Sequence, residues 1–127
     1  MSDEFIVREL KRQYDLSDRF LKFAVMVITI IKQLPQDLAG KRIADQLFRA
    51  GTSSGANYEE TRAAESRRDF IHKLGVVLKE LRESYFWLRL IHVSQILMKP
   101  LVQDAIKESD ELIRIIGASI NSARKNK

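Results

Sequence analysis

Apolar positions recur along most of this chain at alternating spacings of three and four, the period of a helix that buries one side. In a first segment, from about Ser17 to Leu34, Phe20, Ala24, Val27, Ile31 and Leu34 share a face, and Ser17 reads as its N-cap. Phe23–Ile31 is rich in β-branched residues and also reads as a buried strand, but the longer flanking pattern decides for helix. Residues 1–16 show no clear period and read as an N-terminal extension. Pro35 closes the first helix, because the residue before proline avoids helical dihedrals. Asp37 then caps a second helix expected from Leu38 to Ala64, with a face of Ile43, Leu47, Ala50, Gly51, Ser54, Tyr58 and Thr61. Much of that face is small, which suits close approach by another helix; a break near Thr52–Gly55 is the competing reading.

The third helix has the clearest pattern. Ser66 caps it, with Asp69 in a capping-box-like position. Phe70, Leu74, Val77, Leu81, Ser84, Leu88 and Ile91 then alternate without a slip. Pro100 suits the first turn of a fourth helix, whose buried side is expected to be Val102, Ala105, Ile106, Leu112, Ile113, Ile116 and Ile120. Four helices with short connections pack as an all-α, antiparallel up-and-down bundle. The expected organisation is an extension at 1–16, a bundle at 17–123 and a basic tail at 124–127.

Charge adds direction to this picture. The 127 residues hold 22 Lys and Arg against 17 Asp and Glu, for a net charge of +5. Residues 1–34 contribute +1, 35–66 contribute −1, 67–98 contribute +3 and 99–127 contribute +2, so the excess sits in the second half. Opposite the apolar stripe of the third helix lie Arg68, His72, Lys79, Arg82, Phe86 and Arg89. Cations with an interleaved aromatic suit a phosphate-binding ridge with a stacking ring, and a plain solvated face is the alternative. Arg124 and Lys125 in the tail would add to such a surface. Val76 and Trp87 lie on a third side of the same helix with Leu90 at its edge, an apolar patch that suits self-association or burial under a neighbouring helix. On the second helix, Arg49, Ser53, Asn57 and Glu60 form a polar row, read either as a ligand-binding line or as an interhelical hydrogen-bond network that sets register.

Catalytic chemistry is hard to find. There is no cysteine, which removes disulfides, thiol metal ligands and a cysteine nucleophile. Asp69-x-x-His72 is one imperfect half of a di-iron pattern, and the matching position before His92 is the cation Arg89. Gly51 and Gly55 lack the lysine and preceding strand of a phosphate loop. The adjacent acids Glu59–Glu60 and Asp110–Glu111 point to different helix sides. The reading is therefore no enzyme and no cofactor. The longest uncharged, mostly apolar runs, Phe23–Ile31 and Leu90–Met98, have nine residues each against the roughly 20 of a membrane span. The start lacks the basic-then-apolar order of a secretory signal, so a cytoplasmic location is expected.

Several stretches carry a family resemblance: Gln46 to Glu60, Ser66 to Ile71 and Leu78 to Glu83. Over roughly Leu16 to Ala123 the chain resembles the bacterial four-helix-bundle proteins encoded in intervening sequences of the 23S ribosomal RNA gene. The family's arginine, serine, asparagine and glutamate look like Arg49, Ser53, Asn57 and Glu60, and its serine before Asp-Phe looks like Ser66 before Asp69-Phe70. The chain departs from the pattern at Thr61, where glycine is usual, and at Tyr58 and Ser54, where an aliphatic residue is usual. The resemblance implies a left-handed bundle that assembles into a ring, commonly a homopentamer. It also implies a relation to accessory subunits of diversity-generating retroelements, which bind nucleic acid and a reverse transcriptase. The expected partners are thus other copies of the chain, RNA or DNA, and a partner protein.

Overall fold

The computed structural model describes residues 3–125, apart from the side chains at positions 5, 6, 9, 10 and 12–14. Its elements are α1 (Asp3–Ile31), α2 (Leu38–Thr61), α3 (Arg67–Val93) and α4 (Pro100–Lys125), with no strand among the described residues. Each helix packs against the next and α4 returns to α1, forming an antiparallel up-and-down four-helix bundle. The run Phe23–Ile31 is helical throughout, because its apolar side faces helices rather than a sheet.

The largest departure from the sequence reading is at the start. α1 begins at Asp3, so residues 3–16 of the expected extension are its first turns and Ser17 lies inside it. Ser17 does not cap; its hydroxyl accepts from the Arg62 guanidinium at 3.4 Å. Asp3 and Glu4 favour this beginning, being anions near the positive end of the helix dipole. The buried stripe of α1 is Leu16, Phe20, Phe23, Val27 and Ile30, and the turn beyond it adds Leu34. Ala24 and Ile31, expected at its centre, are only half-buried.

α2 is unbroken through Thr52–Gly55 and ends at Thr61, three residues before the expected Ala64. The side chain of Asp37 accepts from the Gly40 amide at 2.8 Å, capping it as expected. Every residue of the expected face is buried. Two glycines let α1 come close. A Cβ on Gly51 would stand 2.8 Å from Val27, and one on Gly55 would stand 3.1 Å from the Cβ of Phe20. Tyr58 and Thr61, two of the three departures from the family pattern, fit locally. The Tyr58 ring stacks on Phe20 at 5.0 Å, and the Thr61 hydroxyl donates to the Tyr58 carbonyl at 2.6 Å.

The hydroxyl of Ser66 accepts from the Asp69 amide at 3.0 Å and opens α3. The Asp69 carboxylate accepts from the Glu65 amide at 3.2 Å and pairs with Lys73 at 3.1 Å. Lys73 foremost, then the Glu65 amide, holds its pKa below the usual carboxylate range. Leu74, Val77, Leu81, Ser84, Leu88 and Ile91 are buried as the spacing predicts. α3 ends in a Schellman turn. Gln95 takes φ +61°, its amide donates to the His92 carbonyl, and the Ile96 amide donates to the Ile91 carbonyl. In α4 the buried side is Val102, Ala105, Ser109, Leu112, Ile116 and Ile120; Ile106 and Ile113 are half-buried. Arg124 and Lys125 belong to the last turn of α4 rather than to a tail beyond it; Asn126 and Lys127 lie outside the described residues.

Candidate nucleic-acid interface

Because α3 buries one stripe between α2 and α4, the residues half a turn away must face outward. Arg68, His72, Lys79, Arg82, Phe86 and Arg89 are all exposed. Arg68, Lys79 and Arg82 make no ion pair among the described residues. Arg89 lies over the Tyr85 ring, 5.6 Å from its centroid, a cation–π contact that keeps the guanidinium on the surface. Phe86 is 58% exposed, and its ring meets Trp87 edge-on at 5.1 Å and 77°. Arg124 and Lys125 are exposed at the end of α4.

The polar row of α2 has a different setting. Arg49 reaches across to α3, pairing with Glu80 at 3.0 Å and with Glu83. The Ser53 hydroxyl donates to the same Glu80 carboxylate at 3.2 Å. The Asn57 amide donates back to the Ser53 carbonyl at 2.8 Å. Glu80 has a side chain only 13% exposed, whereas Arg49 and Glu83 reach solvent at 49% and 36%, so the clasp is sheltered at its Glu80 end. Arg49 and Ser53 thus join α2 to α3 and Asn57 braces Ser53, while Glu60 is exposed and stands apart from the network. Sequence reading found the row on α2 but missed its acceptors, Glu80 and Glu83, which share one side of α3 three residues apart.

Val76, Trp87 and Leu90 are half-buried, and Trp87 and Leu90 pack against the core. The Trp87 Nε1 is buried with no hydrogen-bond partner among the described residues. More apolar surface lies elsewhere, on α1 at Leu21 (66% exposed) and Val25 (56%) and on α2 at Phe48 (47%). Val25 went unnoticed because it lies within the apolar run Phe23–Ile31, and Leu21 and Phe48 because each directly follows a buried aromatic or leucine, Phe20 and Leu47.

At the end of the bundle near the α2–α3 turn, Leu16, Tyr58, Phe70 and Ile115 line a cavity of about 950 Å³. Arg19 on its wall is held by α4, bonding Glu108 at 2.6 and 3.0 Å and Glu111 at 3.0 Å. Those bonds, that of Glu108 first, raise the guanidinium pKa further. Among the described residues no three His, Asp or Glu side chains stand together as metal ligands. No helix among them is long and apolar enough to cross a membrane.

Comparison with known proteins bears on the bundle as a whole. The family model described as 23S rRNA-intervening sequence protein matches residues 12–118. A crystal structure of a protein of unknown function from the S23 ribosomal protein family of Bacteroides thetaiotaomicron is 31% identical, with a TM-score of 0.77. The likeness covers 86% of this chain and 97% of that one. No protein with a curated description matches. Neither similarity names an enzymatic activity.

Proposed function

The chain belongs to the 23S rRNA-intervening sequence protein family, and on that premise we propose that it is a non-enzymatic, oligomeric bundle that binds RNA or another nucleic acid. The binding surface is the outward side of α3, with Arg124 and Lys125 of α4 beside it. One observation carries this reading: Arg68, Lys79, Arg82 and Arg89 are exposed along one helix, and no carboxylate of the described chain neutralises them. A row of unpaired cations is a counterion-releasing surface for phosphates. The α2 row is the contrasting case, since Arg49 is engaged by Glu80 and Glu83.

Titration with a labelled RNA tests the reading. Four phosphate contacts give a slope of log affinity against log salt of about −3, a loss of roughly 60-fold between 50 and 200 mM salt. Arg82→Glu with Arg89→Glu should lower affinity by about 100-fold or more and leave the helical content unchanged. Affinity indifferent to salt and to this double change defeats the reading.

The exposed Leu21, Val25 and Phe48 favour a second reading, an adaptor that binds a partner protein and leaves nucleic acid to that partner. Val76, Trp87 and Leu90 would then supply a further association surface on α3. Loss of partner pull-down in Trp87→Ala with RNA affinity kept favours the adaptor, and RNA affinity lost only on reversing Arg82 and Arg89 favours the first reading.

A further inference from the structure

Resting on the nucleic-acid reading, we propose that the α3 ridge selects single strands, stacking one base on Phe86 while Lys79, Arg82 and Arg89 hold the neighbouring phosphates. A surface that only gathers phosphates gains nothing from an apolar ring at its centre. Yet Phe86 stands between Arg82 and Arg89 with 58% of its surface in water. Its neighbour Trp87 packs against the core and meets the Phe86 ring edge-on, at 5.1 Å and 77°. Arg89, about one turn beyond Phe86, lies over the ring of Tyr85. Val93, seven residues further on the same side and 71% exposed, continues the apolar ledge.

This arrangement matches a base with a free face. From Lys79 to Arg89 the helix rises about 15 Å, enough for phosphates on both sides of a stacked base. In a duplex every base face is covered by its neighbours, and an RNA duplex offers side chains only a shallow minor groove. Reaching Phe86 from a duplex means extruding a base, at a cost of a few kcal/mol. A single strand has no such cost, and stacking on an aromatic tolerates any base. The surrounding cations select a polyanion over an apolar protein segment.

The test is anisotropy titration of the full chain with a labelled 20-nucleotide oligo-uridine and with a 20-base-pair RNA duplex, each between 50 and 200 mM salt. The single strand should bind at least about ten-fold tighter. Phe86→Ala should weaken single-strand binding by roughly 5- to 100-fold, with salt slope and duplex affinity unchanged. Phe86→Tyr should retain binding and Phe86→Leu should not, which separates the ring from its bulk. Trp87 emission should respond to the single strand and not to the duplex. If Phe86→Ala binds the single strand like the parent while Arg82→Glu with Arg89→Glu loses it, stacking is overturned and the phosphate reading stands. If the parent binds neither probe, both readings fall. Competition by polyglutamate equal to that by RNA of the same charge overturns the proposal in favour of an acidic protein partner.

Discussion

The two flanks of α3 carry charge in opposite ways. Towards α2, Glu80 and Glu83 meet Arg49, and the Ser53 hydroxyl completes the set, so every charge has a partner within the chain. On the outer side, Arg68, Lys79 and Arg82 have none among the described residues. A paired charge in partial shelter sets which residue of α2 lies against which residue of α3. An unpaired one in water does little for stability and is free to act on something else. One helix therefore separates structure from candidate function by direction alone.

Three changes break or sharpen that contrast. The strongest is Leu81→Ala, on the fully buried stripe opposite the ridge; it should cost about 2–5 kcal/mol in urea denaturation and weaken both flanks together. Glu80→Ala acts on the inner flank alone. It leaves Arg49 with Glu83 alone and takes from Ser53 its contact across to α3, and should cost about 1 kcal/mol while RNA affinity stays at the parent value. A fall in RNA affinity as large as that from reversing Arg82 and Arg89 would show that the flanks are not separate. The smallest effect concerns the start of α3. Asp69 has its pKa lowered by Lys73 and the Glu65 amide, so its contribution is present above the ordinary carboxylate pKa and is lost as pH falls through the lowered one. Thermal melts from neutral to acid pH should show that limb in the parent and lack it in Asp69→Asn, with the ridge unaffected.

How much of this was legible follows from what periodicity encodes. The α3 stripe and the small-residue face of α2 were readable because burial forces a side-chain type at every third or fourth place. The start of α1 was not: its described side chains from Asp3 to Asp15 are exposed, so no stripe marks those turns as helix. Within Phe23–Ile31 every face is apolar, so the pattern offered Ala24 and Ile31 where the fold buries Phe23 and Ile30. The end of α3 was hidden because its left-handed residue is Gln95 rather than glycine. The ridge was visible as a list of cations, but their lack of partners was not. That depends on how α2 and α4 are set against α3, which no single helix pattern specifies.

The glycines of α2 have a mechanical consequence. With Val27 seated over Gly51 and the Cβ of Phe20 over Gly55, side chains of α1 rest on the α2 backbone where a Cβ would otherwise hold them off. Sliding α1 by one turn, about 5.4 Å, would drive Val27 onto Leu47 in one direction or Phe20 onto Glu59 in the other. The pair of glycines thus works as a detent, clicking the longest rod of the bundle into one notch against lengthwise slip.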